Sequence, residues 1–299
     1  HYRVRPEPSG VAADLRAVVI DGDHAYAAGD GGVVLHRTGK TGWTREATPT
    51  VRTLRALIGA DAGEIYAVGD AGTVLRRSAN GAWVVEPAPT TADLYDLAVA
   101  RTNRTLYAVG DHGTLLERRD GTWHAIASHT EADLRQFDGT IAVGRDGAVV
   151  DCELWDRDRS WQAHQLVCVP RPSPTHADLL AMAGEYMGWH AYGAEGTALR
   201  ALRRGPIDVA LDAPVPGGAA ITAASENRWF APIELVTILV GTGGHIEFVG
   251  TQPTRLVIAG SPDLFGVATA GVDAFAVGAA GTIVHLQATD VEIPPAVEE

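Results

Sequence analysis

Ile65-Tyr66-Ala67-Val68-Gly69-Asp70-Ala71-Gly72-Thr73-Val74-Leu75 recurs in near copy over residues 25–35 and 106–116. In each copy alternating apolar residues run into Gly-Asp-x-Gly and out into a second β-rich run, the pattern of a β-hairpin. The paired glycines are read as the source of the positive φ values that a tight turn between right-twisted strands requires. Fainter copies follow over residues 141–150, 190–199, 238–248 and 275–284. Gly29, Gly69, Gly110, Gly144, Gly193, Gly241 and Gly278 share one slot, at spacings of 40, 41, 34, 49, 48 and 37. Seven units of roughly forty residues predict an all-β fold, a seven-bladed β-propeller of four-stranded antiparallel blades.

Tyr2-Arg3-Val4-Arg5-Pro6-Glu7-Pro8-Ser9 is similar to the segments that end the next three units, 43–50, 83–90 and 123–130. The first unit thus opens with a leftover fourth strand, while the seventh, after 282–287, lacks one. Pairing 2–5 beside 282–287 closes the ring with the N-terminal strand and removes two exposed edges. Residues 1–287 are read as one propeller, and 288–299 as an acidic, proline-containing tail or linker. The chain opens on His1 and is read as a mature form or a fragment.

The formal net charge of −13 argues against nucleic acid and anionic membrane surfaces, which need a basic footprint, and leaves a basic protein partner in play. No apolar run reaches the ~18 residues of a membrane span, so no membrane insertion is expected.

Inner strands are expected to begin at Leu15, Leu54, Leu94, Leu134, Leu179, Ile221 and Leu264. Asp14, Asp93, Asp133, Asp178 and Asp263 each precede such a start. Strand direction puts these acids on the same face as the Gly-Asp turns of Asp30, Asp70 and Asp111. Turn formation accounts for both residue types without a ligand. A channel-mouth site is the alternative: Asp14, Arg16, Arg55, Asp93, Tyr95, Asp133, Arg135 and Asp178, with the three arginines at second positions of inner strands. The eleven histidines show no metal-ligand spacing, and no metal or cofactor is expected. His190, in the slot of Tyr26, Tyr66 and Tyr107, is read as a core residue.

The turns Thr38-Gly39-Lys40-Thr41-Gly42-Trp43, Ser78-Ala79-Asn80-Gly81-Ala82-Trp83 and Arg119-Asp120-Gly121-Thr122-Trp123 resemble degenerate Asp-box hairpins, Ser-x-Asp-x-Gly-x-x-Trp, of sialidase-type propellers. With Val-Gly-Asp-x-Gly-Thr they look most like the propeller family of photosystem II assembly and stability factors. Three units match well, the seventh in part, and the fourth to sixth only in their glycines. The box acid is lost in the first unit, near Lys40. The resemblance implies seven blades, an extracytoplasmic location, periplasmic or secreted, and a non-catalytic role in holding or assembling another protein. The alternative is a sialidase-type carbohydrate-active or glycan-binding propeller, in which clustered arginines hold a carboxylate. Tyr2-Arg3-Val4-Arg5-Pro6 resembles the Tyr-Arg-Ile-Pro signature with one residue too many, and no acidic pair stands at a glycosidase spacing.

The fourth to sixth units carry aromatic and arginine residues on loops expected to share the face opposite the acidic turns. Trp155, Arg157, Arg159, Tyr186, Met187, Arg228, Trp229 and Phe230 are therefore the candidate partner-binding residues, since interface hot spots favour Trp, Tyr and Arg. Cys152 and Cys168 flank the first of these loops on neighbouring antiparallel strands. They are read as a candidate disulfide in an oxidising compartment or as buried thiols in a cytosolic one.

Overall fold

The computed structural model describes residues 2–60, 63–100, 104–156, 164–185, 188–202, 208–215, 217–228, 235–249 and 254–288. Among them, strands form seven four-stranded antiparallel sheets, the blades of a propeller. The inner strands are Leu15–Asp21, Leu54–Gly59, Leu94–Val99, Leu134–Phe137, Leu179–Glu185, Ile221–Arg228 and Leu264–Ala270, for blades 1 to 7. Six blades are continuous in sequence. The seventh takes its outer strand, Tyr2–Glu7, from the start of the chain, in register from Tyr2 opposite Ala288 to Glu7 opposite Ile283. Closure therefore reaches two residues beyond Arg5, with Pro6 tolerated because it stands on an edge strand. No helix among the described residues is long and apolar enough to cross a membrane.

The repeated turn works differently from its sequence reading. Gly69 is extended, at φ −175°, and the positive φ falls on Ala71 (52°) and Gly72 (68°) inside a 3-10 turn. What demands glycine at position 69 is proximity, because a Cβ there would lie 1.9 Å from the Thr53 carbonyl oxygen. The first glycine of each pair thus lets the turn lie against the start of the inner strand, where the Asp70 N–H donates to Thr53 O at 3.0 Å.

Second strands are mostly buried, end to end in Ile65–Gly69, because both faces meet other blades, with His24 and His190 among the exposed exceptions. The apolar clusters accordingly lie between blades. One joins Tyr26 and Ala28 of blade 1 to Leu54, Ile65, Leu75 and Trp83 of blade 2. The fourth strands of blades 1 and 2 are short, three residues in Thr44–Glu46 and Trp83–Val85, which limits the edge they offer to other chains.

A polar staple crosses three consecutive blade boundaries. The Trp83 indole N–H donates to Glu46 of the preceding blade at 2.7 Å, and Arg77 donates to the same carboxylate at 2.7 and 3.0 Å. Trp123 and Arg118 repeat this on Glu86, and Trp43 and Arg37 on Glu7. Burial alone would raise the Glu46 and Glu86 carboxyls, but the bonds from Arg77 and Arg118 and from the indoles outweigh it and hold both below the ordinary range. In blade 4 a disulfide joins Cys152 to Cys168, cross-strand partners with Cα atoms 4.0 Å apart.

Candidate functional site at the channel mouth

Every inner strand is bulged at its second residue: pairing skips from Leu15 to Ala17, from Leu54 to Ala56, and likewise around the ring. A bulge leaves one residue outside the ladder and re-aims its side chain. The seven bulged residues are Arg16, Arg55, Tyr95, Arg135, Leu180, Thr222 and Phe265, so blades 7, 1, 2, 3 and 4 form an arc of cationic and aromatic side chains, Phe265, Arg16, Arg55, Tyr95 and Arg135.

The arc is held by aspartates. Arg16 contacts Asp14 at 3.0 Å and Asp30 at 2.9 Å, with its guanidinium 4.5 Å from the centre of the Phe265 ring. Arg55 meets Asp70 at 2.5 Å and Asp93 at 3.8 Å. Arg135 meets Asp133 at 3.3 Å and Asp111 at 3.9 Å. Both lie over the Tyr95 ring, at 5.0 and 3.7 Å, a geometry that adds cation–π attraction. The hydrogen bond from Arg16 holds the Asp30 carboxyl below its ordinary value, and the same bond raises Arg16. Burial raises the Tyr95 phenol, against the opposing bond to Arg135. Arg145 extends the network, 3.3 Å from Asp133 and 3.8 Å from Asp178.

The aspartates before the inner strands have a second task that the sequence reading missed. Asp14 Oδ1 accepts the Ala280 N–H at 2.9 Å, Asp93 that of Ala71 at 2.8 Å, Asp133 that of His112 at 3.0 Å and Asp178 that of Asp146 at 3.0 Å. Asp263 accepts from Gly243 at 2.8 Å. Each bond runs to the 3-10 turn of the preceding blade, so these acids are inter-blade clasps, not only turn formers. Thr53 and Ala220 stand at the two remaining starts. All eight channel-mouth residues read from the sequence come together, Asp178 through Arg145.

Behind the arc, Asp96 follows Tyr95 on the same strand and accepts the Phe137 N–H of blade 4 at 2.9 Å. Gln136 repeats this one blade on, accepting from the Met182 N–H. Burial pushes the Asp96 carboxyl up to about 7, against the backbone N–H bonds from Phe137 and Leu97. No sequence signal marked Asp96, because the N–H it meets belongs to the next blade.

Of the loop residues proposed to bind a partner, Arg157, Arg159, Tyr186, Met187, Trp229 and Phe230 lie outside the described residues. Trp155 and Arg228 are strand residues near the ends of their hairpins, away from the 3-10 turns. His190 corrects the sequence reading. It is an exposed residue whose Nε2 lies 3.4 Å from Asp212, while its neighbour Trp189 is buried. The strand's alternation puts only one of the two inside.

No protein-family description matches the chain, and none of the curated proteins does. Among solved structures it is similar to virginiamycin B lyase from Staphylococcus aureus, with a TM-score of 0.74 at 12% identity, covering 97% of this chain and 100% of that one. It is also similar to YCF48 bound to a D1 peptide, with a TM-score of 0.67 at 14% identity, covering 97% and 95%. YCF48 from Cyanidioschyzon merolae gives 0.65 at 16% identity, covering 96% and 99%. The resemblance to photosystem II assembly factors thus extends over the whole ring. At these identities the likeness is one of fold, a seven-bladed β-propeller that is an enzyme in one neighbour and a peptide-bound protein in another.

Proposed function

We propose that this propeller is a non-catalytic protein-binding or scaffolding module that works outside the cytoplasm. The observation that carries the reading is the state of Arg16, Arg55 and Arg135: each already faces two aspartates. A sialidase-type site needs such arginines free for a substrate carboxylate. Here three cations stand among Asp14, Asp30, Asp70, Asp93, Asp111 and Asp133, so the mouth as a whole repels an anion and favours a basic partner. The disulfide supports an oxidising compartment. The aromatic loops of blades 4 to 6 supply the docking side chains, Trp155 and Trp229 foremost.

A carbohydrate-active reading draws on one observation, the raised carboxyl of Asp96 beside Tyr95, a perturbation common at functional sites. A glycosidase needs a second carboxylate some 5 to 9.5 Å away across a substrate, and Asp96 is engaged with backbone. The two readings separate in one experiment. Partners captured from the native source are identified by mass spectrometry and their affinity measured against Trp155→Ala, Trp229→Ala and Asp96→Asn. Each tryptophan change is expected to cost about 2 kcal/mol of affinity and the third nothing. Turnover of a sialoside or other glycoside that Asp96→Asn abolishes would overturn the scaffold reading.

A further inference from the structure

The outer half of blade 1 brings two imidazoles together on one face of the sheet. His24 Nδ1 lies 2.9 Å from His36 Nε2, and Thr38 Oγ1 lies 3.3 Å from the first and 3.4 Å from the second. Three donor atoms thus form a small triangle, open to solvent because His24 and Thr38 are exposed. The rings are stacked in series: His24 on His36 at 5.0 Å, and His36 on Tyr26 at 4.4 Å with planes 4° apart. Stacking fixes the direction in which both nitrogens point.

Behind this triangle stands a second layer of the kind that orients metal-bound histidines. The far nitrogen of His36, Nδ1, is 3.1 Å from Glu46 Oε1. Glu46 is itself held by Arg77 and the Trp83 indole. A proton on Nδ1 facing Glu46 leaves the Nε2 lone pair directed outward. With the proton of His36 on Nδ1, its Nε2 can only accept, and the 2.9 Å contact is then a bond donated by His24 Nδ1. Moving that proton to Nε2 of His24 frees a second lone pair.

We propose that His24 Nδ1, His36 Nε2 and Thr38 Oγ1 form a surface site for a late first-row divalent cation, with water filling its remaining positions. Imidazole nitrogens suit zinc, copper and nickel. Zinc–nitrogen bonds of about 2.0–2.1 Å in a tetrahedron need the two nitrogens roughly 3.3 Å apart, a few tenths beyond the present separation. Blade 7 supplies a built-in control. His285 occupies the slot of His36 there, but its Nε2 faces the Asp273 carboxylate at 2.7 Å, so no second imidazole converges on it.

The test is a calorimetric titration of the intact protein with zinc chloride at pH 7.5, beside a thermal melt with and without zinc. One zinc is expected to bind and to raise Tm. His24→Ala, an exposed change that leaves the fold intact, should weaken binding at least ~10-fold and remove the Tm shift, and Glu46→Gln should weaken it ~10-fold through the second layer. His285→Ala should bind like the parent. Absence of binding to the parent at millimolar zinc, or unchanged affinity in His24→Ala, would overturn the assignment.

Discussion

In blades 2 and 3 the third strand sets Arg77 and Arg118 opposite Trp83 and Trp123, whereas at the same register blade 4 sets Cys152 opposite Cys168. The acceptor changes with them. Glu46 and Glu86 receive the arginine and tryptophan of the following blade, and the equivalent residue of blade 3 is Ile126, which packs against the cluster holding Tyr107 and both cysteines. One boundary is therefore polar and directional, the other apolar and covalently fastened inside its own blade. The lesson is that three positions must change together. An arginine without its glutamate, or the reverse, would leave a half-buried charge unpaired, which is costlier than either complete solution.

The largest expected effect comes from deleting residues 1–8. This removes Glu7, the acceptor of the first polar staple, and reopens two strand edges, so Tm should fall by more than ~10 °C in a thermal melt. An unchanged Tm would show that ring closure is dispensable.

Glu86→Ile tests the rule of joint change directly, because it installs the residue of the next boundary while leaving Arg118 and Trp123 without their acceptor and Arg76 with Glu64 in place of two carboxylates. A loss of about 3 kcal/mol is expected by urea denaturation. The parent's Glu86 is depressed in the folded state. Its contribution is present above the unfolded glutamate value of about 4.3 and is lost as pH falls through the lower folded value. The variant should lack that acid-sensitive part.

Replacing both Cys152 and Cys168 by alanine opens a loop whose ends are sixteen residues apart, for which a cost of about 3 kcal/mol or somewhat less is expected. A reductant should destabilise the parent by a similar amount and the double variant not at all. Equal response of both proteins would refute the link.

The effect that shows only as a pH slope, modest at any single step of pH, concerns Asp96, whose sign is opposite to that of Glu86. Its folded value near 7 lies above the unfolded value of about 3.9, so its contribution is fully present below about pH 4 and is lost as pH rises through 7. Asp96→Asn should flatten this slope, by on the order of 1 kcal/mol per pH unit, in denaturation curves taken from pH 4 to 7.

The ring, its seven blades and the start of every inner strand were legible because glycine and the Ala-Asp-Leu starts mark points where two pieces of backbone nearly touch. Ring closure was legible from the unpaired outer segment. What stayed hidden was lateral. The bond from Asp93 to Ala71, the staple of Trp83 on Glu46 and the convergence of His24 on His36 all join residues whose separation in sequence reflects hairpin length or blade width. No short motif encodes such distances. The conformational role of Gly69 was misread for a related reason: the turn looks the same in sequence whether glycine serves torsion or clearance.

The pairing of Tyr2–Glu7 with Ile283–Ala288 also sets a timetable. Within the propeller, the strand made first has no partner until the one made last is complete. Bringing those ends together costs about 5 kcal/mol of loop entropy by the logarithmic law, unless the intervening blades form first and hold them near one another. Until then, blade 7 lacks its outer strand and Trp43 lacks the carboxylate of Glu7. Any other copy whose Tyr2–Glu7 strand is unpaired can supply both. Refolding at high concentration thus sets closure within one molecule against exchange of that strand between molecules, and strand-swapped oligomers are the product when the second wins.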